Sequence, residues 1–315
     1  MVQLKDVELA YKRVSKYIKH TPLYYSTYLS KMTQNNVFLK LENLQNTNAF
    51  KARGAFNYIL QIDPSNGKKG VITASSGNHG KAVAYAASHV GYPARVVVPV
   101  DAPVTKVQAI KGYGAEVIPW GKFTNERNEK AKEIAEKEGL IFIDSVDHPW
   151  IIAGQGTAVL EISEDLSDVE AVLVPVGGGG LISGISIAIK EKNPKVKIYG
   201  VEPQGSNSMH LSLQKGKVTE LTNIDTIADG LRSNKPGDLA FSIVKKYAED
   251  VLLVAENDIL TALRTLLMED KFLAEPSGAV ALAALLGGKF PYKNKNVVVV
   301  ISGGNVDLEK IKKIL

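Results

Sequence analysis

Short runs rich in Val and Ile alternate along the chain with stretches of helical period. VFLKLE (37–42), GVITAS (70–75), ARVVVPV (94–100), AEVIPW (115–120), LIFID (140–144), AVLVPV (171–176), VKIYGVEP (196–203) and NVVVVISGGN (296–305) read as strands. Between them HGKAVAYAASHVG, TKVQAIKGYG, NERNEKAKEIAEKEG, AGQGTAVLEIS and ISGISIAIKEKN read as helices. Such alternation predicts parallel sheets built from strand–helix–strand units. The strands exceed one comfortable sheet, so the expected fold is α/β with two open, twisted, mainly parallel sheets and helices on both faces. A smaller lobe is expected at residues 70–147, and a larger one from residues 1–69 and 148–315.

In sheets of this kind ligands bind beyond the carboxyl ends of the strands, so the strand-to-helix turns carry the information. Three stand out. Gly177, Gly178, Gly179 and Gly180 follow a strand and open a helix, which exposes successive N–H groups at a helix N-terminus and suits a phosphate. The loop lacks the Gly-Lys-Ser/Thr ending and the GxGxxG spacing of nucleotide loops. Ser75, Ser76, Gly77, Asn78 and His79 form a second turn, able to hold a carboxylate or simply to cap a helix. Ser302, Gly303, Gly304 and Asn305 form the third.

Composition narrows the classes. Of 315 residues 45% are hydrophobic and 23% charged, ordinary for a globular protein, and no uninterrupted apolar run is long enough to span a membrane. The N-terminal MVQLKDVELAYKRVSKYIKH is charged and amphipathic with no apolar signal core, which makes a cytoplasmic location the default. Zero cysteines remove disulfides, thiolate nucleophiles and Cys-ligated metals. The net charge of +5 comes from lysines dispersed through helical patterns, a solvated surface rather than a nucleic-acid patch. Five histidines lack HExxH spacing and no GxSxG is present, so neither a metal centre nor a Ser-His-Asp site is expected.

A lysine remains. Lys51 in NAFKARGA lies between Phe50 and the Ala52-Arg53-Gly54 step. A free lysine is neutral in only about one molecule in 2,500 at pH 7, so a nucleophilic one needs burial or a neighbouring positive charge. Phe50 and Arg53 are candidates for each. A phosphate cradle, a carboxylate-sized turn and a lysine are jointly explained by a phosphorylated aldehyde cofactor that joins a lysine to an amino acid.

NAFKARGA, SSGNHG, VGGGG, TIADGL, AEPSGA and ISGGN, in that order over nearly the whole chain, resemble the pyridoxal-phosphate enzymes of the tryptophan-synthase-β fold (fold type II), and within them the threonine/serine dehydratase and serine racemase branch. The resemblance implies pyridoxal 5'-phosphate as cofactor, with Lys51 as the Schiff-base lysine and the base for the substrate Cα proton. It implies that Gly177 to Gly180 bind the phosphate, Phe50 packs on the ring, Asn78 contacts the ring hydroxyl, Ser302 faces the ring nitrogen and Glu275 lies nearby. The turn from Ser75 to His79 would hold the substrate carboxylate. L-Threonine would become 2-oxobutanoate and ammonia, and L-serine pyruvate and ammonia. The resemblance also implies a homodimer.

Two alternatives divide the branch. Ser76 stands where racemases place an acid/base opposite the lysine, so serine racemase is the second reading; β-replacement and non-catalytic binding rank lower. The branch's cation site pairs a glutamate with an aspartate six residues on, whereas here Glu202 is followed by Ser208, and no metal is assigned. Ten residues follow Asn305, too few for the regulatory domain of feedback-controlled threonine dehydratases, and none is expected.

Overall fold

A computed structural model of the chain describes residues 2–63, 65, 67–121, 124–307, 311 and 312. Among them lie ten strands: β1 Leu23–Tyr25, β2 Asn36–Leu41, β3 Val71–Ala74, β4 Ala94–Val98, β5 Glu116–Pro119, β6 Ile141–Phe142, β7 Ala171–Pro175, β8 Lys197–Pro203, β9 Asp250–Val254 and β10 Asn296–Ile301. They make two sheets, β1-β2-β10-β7-β8-β9 and β5-β4-β3-β6. Every neighbouring pair is parallel except β1 and β2. The fold is thus the two-sheet α/β arrangement that the alternation implies.

The central strands β7 and β10 are buried along nearly their whole length because helices cover both faces. Side-chain alternation divides them between two cores: Val297, Val299 and Ile301 join one, Val298 and Val300 the other. Two strands escape the periodicity. β1 has three residues and pairs at a sheet edge, and β9 (DVLLV) packs at the opposite edge, so neither carries a full hydrophobic signature.

The helix Pro149–Asp165 ties the parts together. A Cβ on Gly154 would lie 2.6 Å from the Gly54 Cα of the helix Lys51–Ile59, and a Cβ on Gly156 would lie 2.7 Å from the Gly184 carbonyl oxygen of the helix Gly180–Lys192. Only glycine permits such contact between helix backbones. These crossings fix the helix that begins at Lys51 against the helix that begins at the glycine loop.

The Lys51 helix is also held by charge. Arg53, fully buried, places both arms on carboxylates: 2.8 and 2.7 Å to Glu42, 2.7 and 2.8 Å to Glu161. Lys40, equally buried, donates to Glu161 at 2.7 Å and to the Thr21 carbonyl at 2.6 Å. Two cations thus face two carboxylates in a dry interior. Burial alone would weaken the Arg53 cation, but Glu42 and Glu161 outweigh it and keep the guanidinium charged.

Candidate active site

Each chemically distinctive turn lies at the carboxyl end of a strand. Lys51 opens its helix after an approach stitched to the turn that follows β10: Phe50 N–H donates to the Ser302 carbonyl at 3.1 Å, Gly304 N–H to the Asn48 carbonyl at 2.8 Å, and Ala49 bridges to Gly303. The Lys51 amine is half-buried, 5.1 Å from the centre of the Phe50 ring, and donates to the Ser145 carbonyl at 2.6 Å. Burial depresses its pKa to about 8, against the opposing charge of Asp144. Arg53 does not contribute to that depression. Two residues along a helix turn a side chain by about 200°, and Arg53 is spent on Glu42 and Glu161; the expectation of a cationic neighbour is corrected to burial.

The glycine loop follows β7. Gly179 has φ +99°, and the helix from Gly180 has no side-chain cap. Among the described residues no acceptor serves the N–H groups of Gly177 to Gly180, leaving them to an anion. The glycines are needed for packing too: added Cβ atoms would meet Leu231 Cα at 3.2 Å, Val146 Cγ2 at 2.7 Å and the Val146 carbonyl at 3.1 Å, from Gly177, Gly178 and Gly180.

Ser75 to His79 follow β3 and lead into the helix Asn78–Val90, whose N-terminus also lacks a side-chain cap. The Ser75 hydroxyl accepts the Gly77 N–H at 3.2 Å, while Ser76, half-buried, has no hydrogen-bond partner among the described residues. A Cβ on Gly80 would lie 2.0 Å from the Ser75 carbonyl, which holds the turn tight. His79 is buried and its Nδ1 lacks a partner; burial and the Lys51 charge push its pKa down to about 3, so the ring is neutral. It is a poor general acid at neutral pH.

Asn78 links this turn to the others. Its amide donates to Glu275 at 2.5 Å and accepts from Asn305 at 2.8 Å, and Lys81 donates to Asn305 at 2.9 Å. Glu275 is buried, its N–H on the Gly303 carbonyl at 3.0 Å. Ser302, also buried, directs its hydroxyl toward the Ser277 carbonyl at 3.5 Å. The motifs TIADGL and EPSGA meet where Gly230 N–H donates to Ser277 at 2.8 Å.

Glu202 does other work. Its buried carboxylate accepts the N–H groups of Met209 at 3.0 Å and His210 at 2.8 Å in the first turn of the helix Ser208–Lys215. Burial raises its pKa to about 8, those N–H groups opposing. Among the described residues no group of three or more His, Asp or Glu is placed to hold a metal ion, and no helix is long and apolar enough to cross a membrane.

One turn went unread in the sequence. After β6, residues 144–147 place the Ser145 carbonyl on Lys51 and Val146 against Gly178 and Gly180. The signal was an aspartate at the strand end followed by Ser-Val-Asp, a side chain able to bond its own following backbone.

The site meets the requirements of a phosphorylated aldehyde that binds through a lysine: free N–H groups in a tight glycine loop, and an amine of depressed basicity beside an aromatic ring. Comparison with known proteins agrees. Residues 14–303 match the family model described as "Pyridoxal-phosphate dependent enzyme". The chain is 45% identical over 315 residues to the L-threonine ammonia-lyase of Thermotoga maritima, covering 100% of this chain and 78% of that protein. It is 41% identical over 305 residues to the serine racemase of Schizosaccharomyces pombe, covering 97% and 94%. The crystal structure of serine racemase from Dictyostelium discoideum superposes with a TM-score of 0.91 at 41% identity, covering 98% of this chain and 99% of that one.

Proposed function

The chain belongs to the pyridoxal-phosphate-dependent enzymes, in the branch of the threonine/serine dehydratases and serine racemases, and within it we propose an ammonia-lyase that converts L-threonine to 2-oxobutanoate and L-serine to pyruvate, each with release of ammonia. The observation that carries this reading is the Lys51 amine on the Ser145 carbonyl, next to Val146, which packs against the glycine loop, with the Lys51 charge reaching His79 of the uncapped Ser75–His79 turn.

Lys51 would hold the cofactor covalently and the N–H groups of Gly177 to Gly180 its phosphate. Phe50 would flank its ring, with Asn78 and Glu275 toward the ring hydroxyl and Ser302 at the ring nitrogen. When bound, the cofactor withdraws electrons from the substrate Cα and makes its proton labile. The chain's residues do the rest. N–H groups at the start of the helix Asn78–Val90 bind the substrate carboxylate, with Ser75 and Ser76 beside them. Lys51, whose depressed pKa leaves a usable neutral fraction near pH 7, takes the Cα proton. The β-hydroxyl leaves as water, so that the proton Lys51 took from Cα is balanced by the one that departs with the hydroxyl, and the released enamine takes up water to give the 2-oxo acid and ammonia. Ser302 offers a hydroxyl and no charge, which favours elimination over reactions that need a stronger electron sink.

The unpartnered Ser76 hydroxyl supports a second reading, serine racemase, in which it returns a proton to the face opposite Lys51. The exposed Tyr25, Tyr28, Met32, Met268 and Leu273 support a homodimer, measurable by light scattering. The function is tested by supplying purified enzyme with L-threonine and L-serine, measuring 2-oxo acids, and resolving serine enantiomers. D-Serine appearing faster than pyruvate would reverse the order of the two readings.

A further inference from the structure

The carbonyl that receives the Lys51 amine is presented by a turn that Asp144 builds. Asp144 Oδ1 accepts the N–H groups of Val146 at 2.7 Å and Asp147 at 2.8 Å, closing an Asx turn over residues 144–147. Its geometry places the Ser145 oxygen 2.6 Å from Lys51 Nζ. The same turn seats Val146 where Cβ atoms on Gly178 or Gly180 would collide with it. Its far end is anchored by Asp147, which accepts the N–H groups of Leu239 at 3.3 Å and Ala240 at 3.0 Å. One carboxylate thus organises the contact between the lysine and the glycine loop.

Asp144 also carries the charge nearest in effect to the amine. It opposes burial at Lys51, and its field reaches Tyr58, His79 and His148. The neighbouring ring of His79 is neutral, so it does not cancel that charge.

We propose that Asp144 is a positioning residue for Lys51: its carboxylate folds the turn that brings the Ser145 carbonyl onto the lysine amine, and its charge stabilises the ammonium formed when Lys51 takes the substrate Cα proton. Asp144 itself neither gains nor loses that proton. The proposal rests on the reading of Lys51 as the cofactor lysine and Cα base. The Ser145 carbonyl on the amine, and the Asp144 charge acting on it from the turn behind, give the transferred proton a place to wait in a site that burial makes hostile to cations.

Two variants separate turn from charge. Asp144→Asn keeps an oxygen able to accept both N–H groups and drops the charge; Asp144→Ala drops both. The reactivity of Lys51 in cofactor-free protein is read by pulse acetylation across pH with mass-spectrometric mapping, and cofactor retention by visible absorbance after dialysis. In Asp144→Asn the midpoint of Lys51 labelling should fall by about one pH unit, so that labelling below the midpoint is about tenfold faster. Cofactor should be retained. In Asp144→Ala the midpoint should fall alike and cofactor should be lost on dialysis. An unchanged midpoint in Asp144→Asn overturns the charge role, and equal retention in both variants overturns the turn's role; if Asp144→Ala fails to fold, the Asn midpoint alone decides. The underlying reading is checked apart from these: Lys51→Ala that still forms a borohydride-reducible adduct with pyridoxal phosphate refutes Lys51, whatever Asp144 does.

Discussion

Gly54 and Gly154 meet backbone to backbone, so closely that a Cβ on Gly154 would sit 2.6 Å from the Gly54 Cα and 2.8 Å from the Arg53 carbonyl oxygen. Neither neighbour is the end of a flexible side chain, and neither can yield without moving a helix. Gly154→Ala is therefore expected to destabilise the fold by about 1–3 kcal/mol, the usual range for overpacking. Denaturant unfolding of the cofactor-free protein measures it. An unchanged midpoint would mean that the two helices separate at no cost, and that their spacing does not set the position of Lys51.

Arg53 stands between two carboxylates. Arg53→Met removes one cation from a balanced set and leaves Glu161 with Lys40, and Glu42 with the Thr21 hydroxyl but no cation. Stranding a buried charge costs about 3–5 kcal/mol, and the loss should be larger in this variant than in Gly154→Ala. Adding Glu42→Gln to Arg53→Met restores the charge balance and should recover part of the loss, which a double-mutant cycle in denaturant resolves. Additive losses would show that the four groups do not act as a unit.

Cofactor capture should follow the titration of Lys51. The folded pKa lies below that of a free lysine, near 8, so the neutral amine gains population as pH rises through that value. The rate at which cofactor-free protein takes up pyridoxal phosphate, followed by absorbance, should rise about tenfold per unit below pH 8 and flatten above it. A rate that keeps climbing toward pH 10 would place the amine in water, with an ordinary lysine's basicity.

The sequence and the fold differ in what each makes legible. The strands β2, β3, β4, β7, β8 and β10 were visible because buried parallel strands read as continuous apolar runs, β5 and β6 were visible from short apolar runs although none of their residues is fully buried, and the strand ends pointed to Ser75–His79, Gly177–Gly180 and Ser302. Arg53 was misread because its partners, Glu42 and Glu161, lie 11 and 108 residues away, and local sequence places it merely near Lys51. The Asp144 turn was missed although LIFID was read as a strand, because that reading carried the strand through Asp144 whereas β6 ends at Phe142. The packing duty of the glycines was hidden too, since Val146 and Leu231 come from segments that the chain order does not join to them.

Gly178→Val separates the loop's packing from its N–H groups. The added side chain would push on Val146, whose Cγ2 lies 2.7 Å from the Cβ position, and would narrow the space before the N-terminus of the helix Gly180–Lys192. Pyridoxal phosphate should bind more weakly in an absorbance titration while the far-ultraviolet dichroism persists. Pyridoxal without its phosphate should lose less, because the loop's N–H groups would no longer be at stake. Equal losses for both ligands would assign the defect to Val146 and the turn behind it.

Ser76 decides between elimination and racemisation. Its hydroxyl is half-buried and without a partner among the described residues, in the turn beside the neutral His79. If Ser76 only helps to bind carboxylate, Ser76→Ala should raise KM for L-serine and L-threonine together and leave the ratio of D-serine to pyruvate unchanged. A lost hydrogen bond to a charged group is worth about 1.5–3 kcal/mol, about tenfold to a hundredfold in KM. If instead Ser76 returns a proton to the opposite face, the variant should abolish D-serine while 2-oxo acid formation continues, because Lys51 can still take the Cα proton. Chiral chromatography beside a 2-oxo-acid assay reads both products in one sample. The ammonia-lyase reading expects the first pattern, and the second, with D-serine as the faster product of the unmodified enzyme, would overturn it.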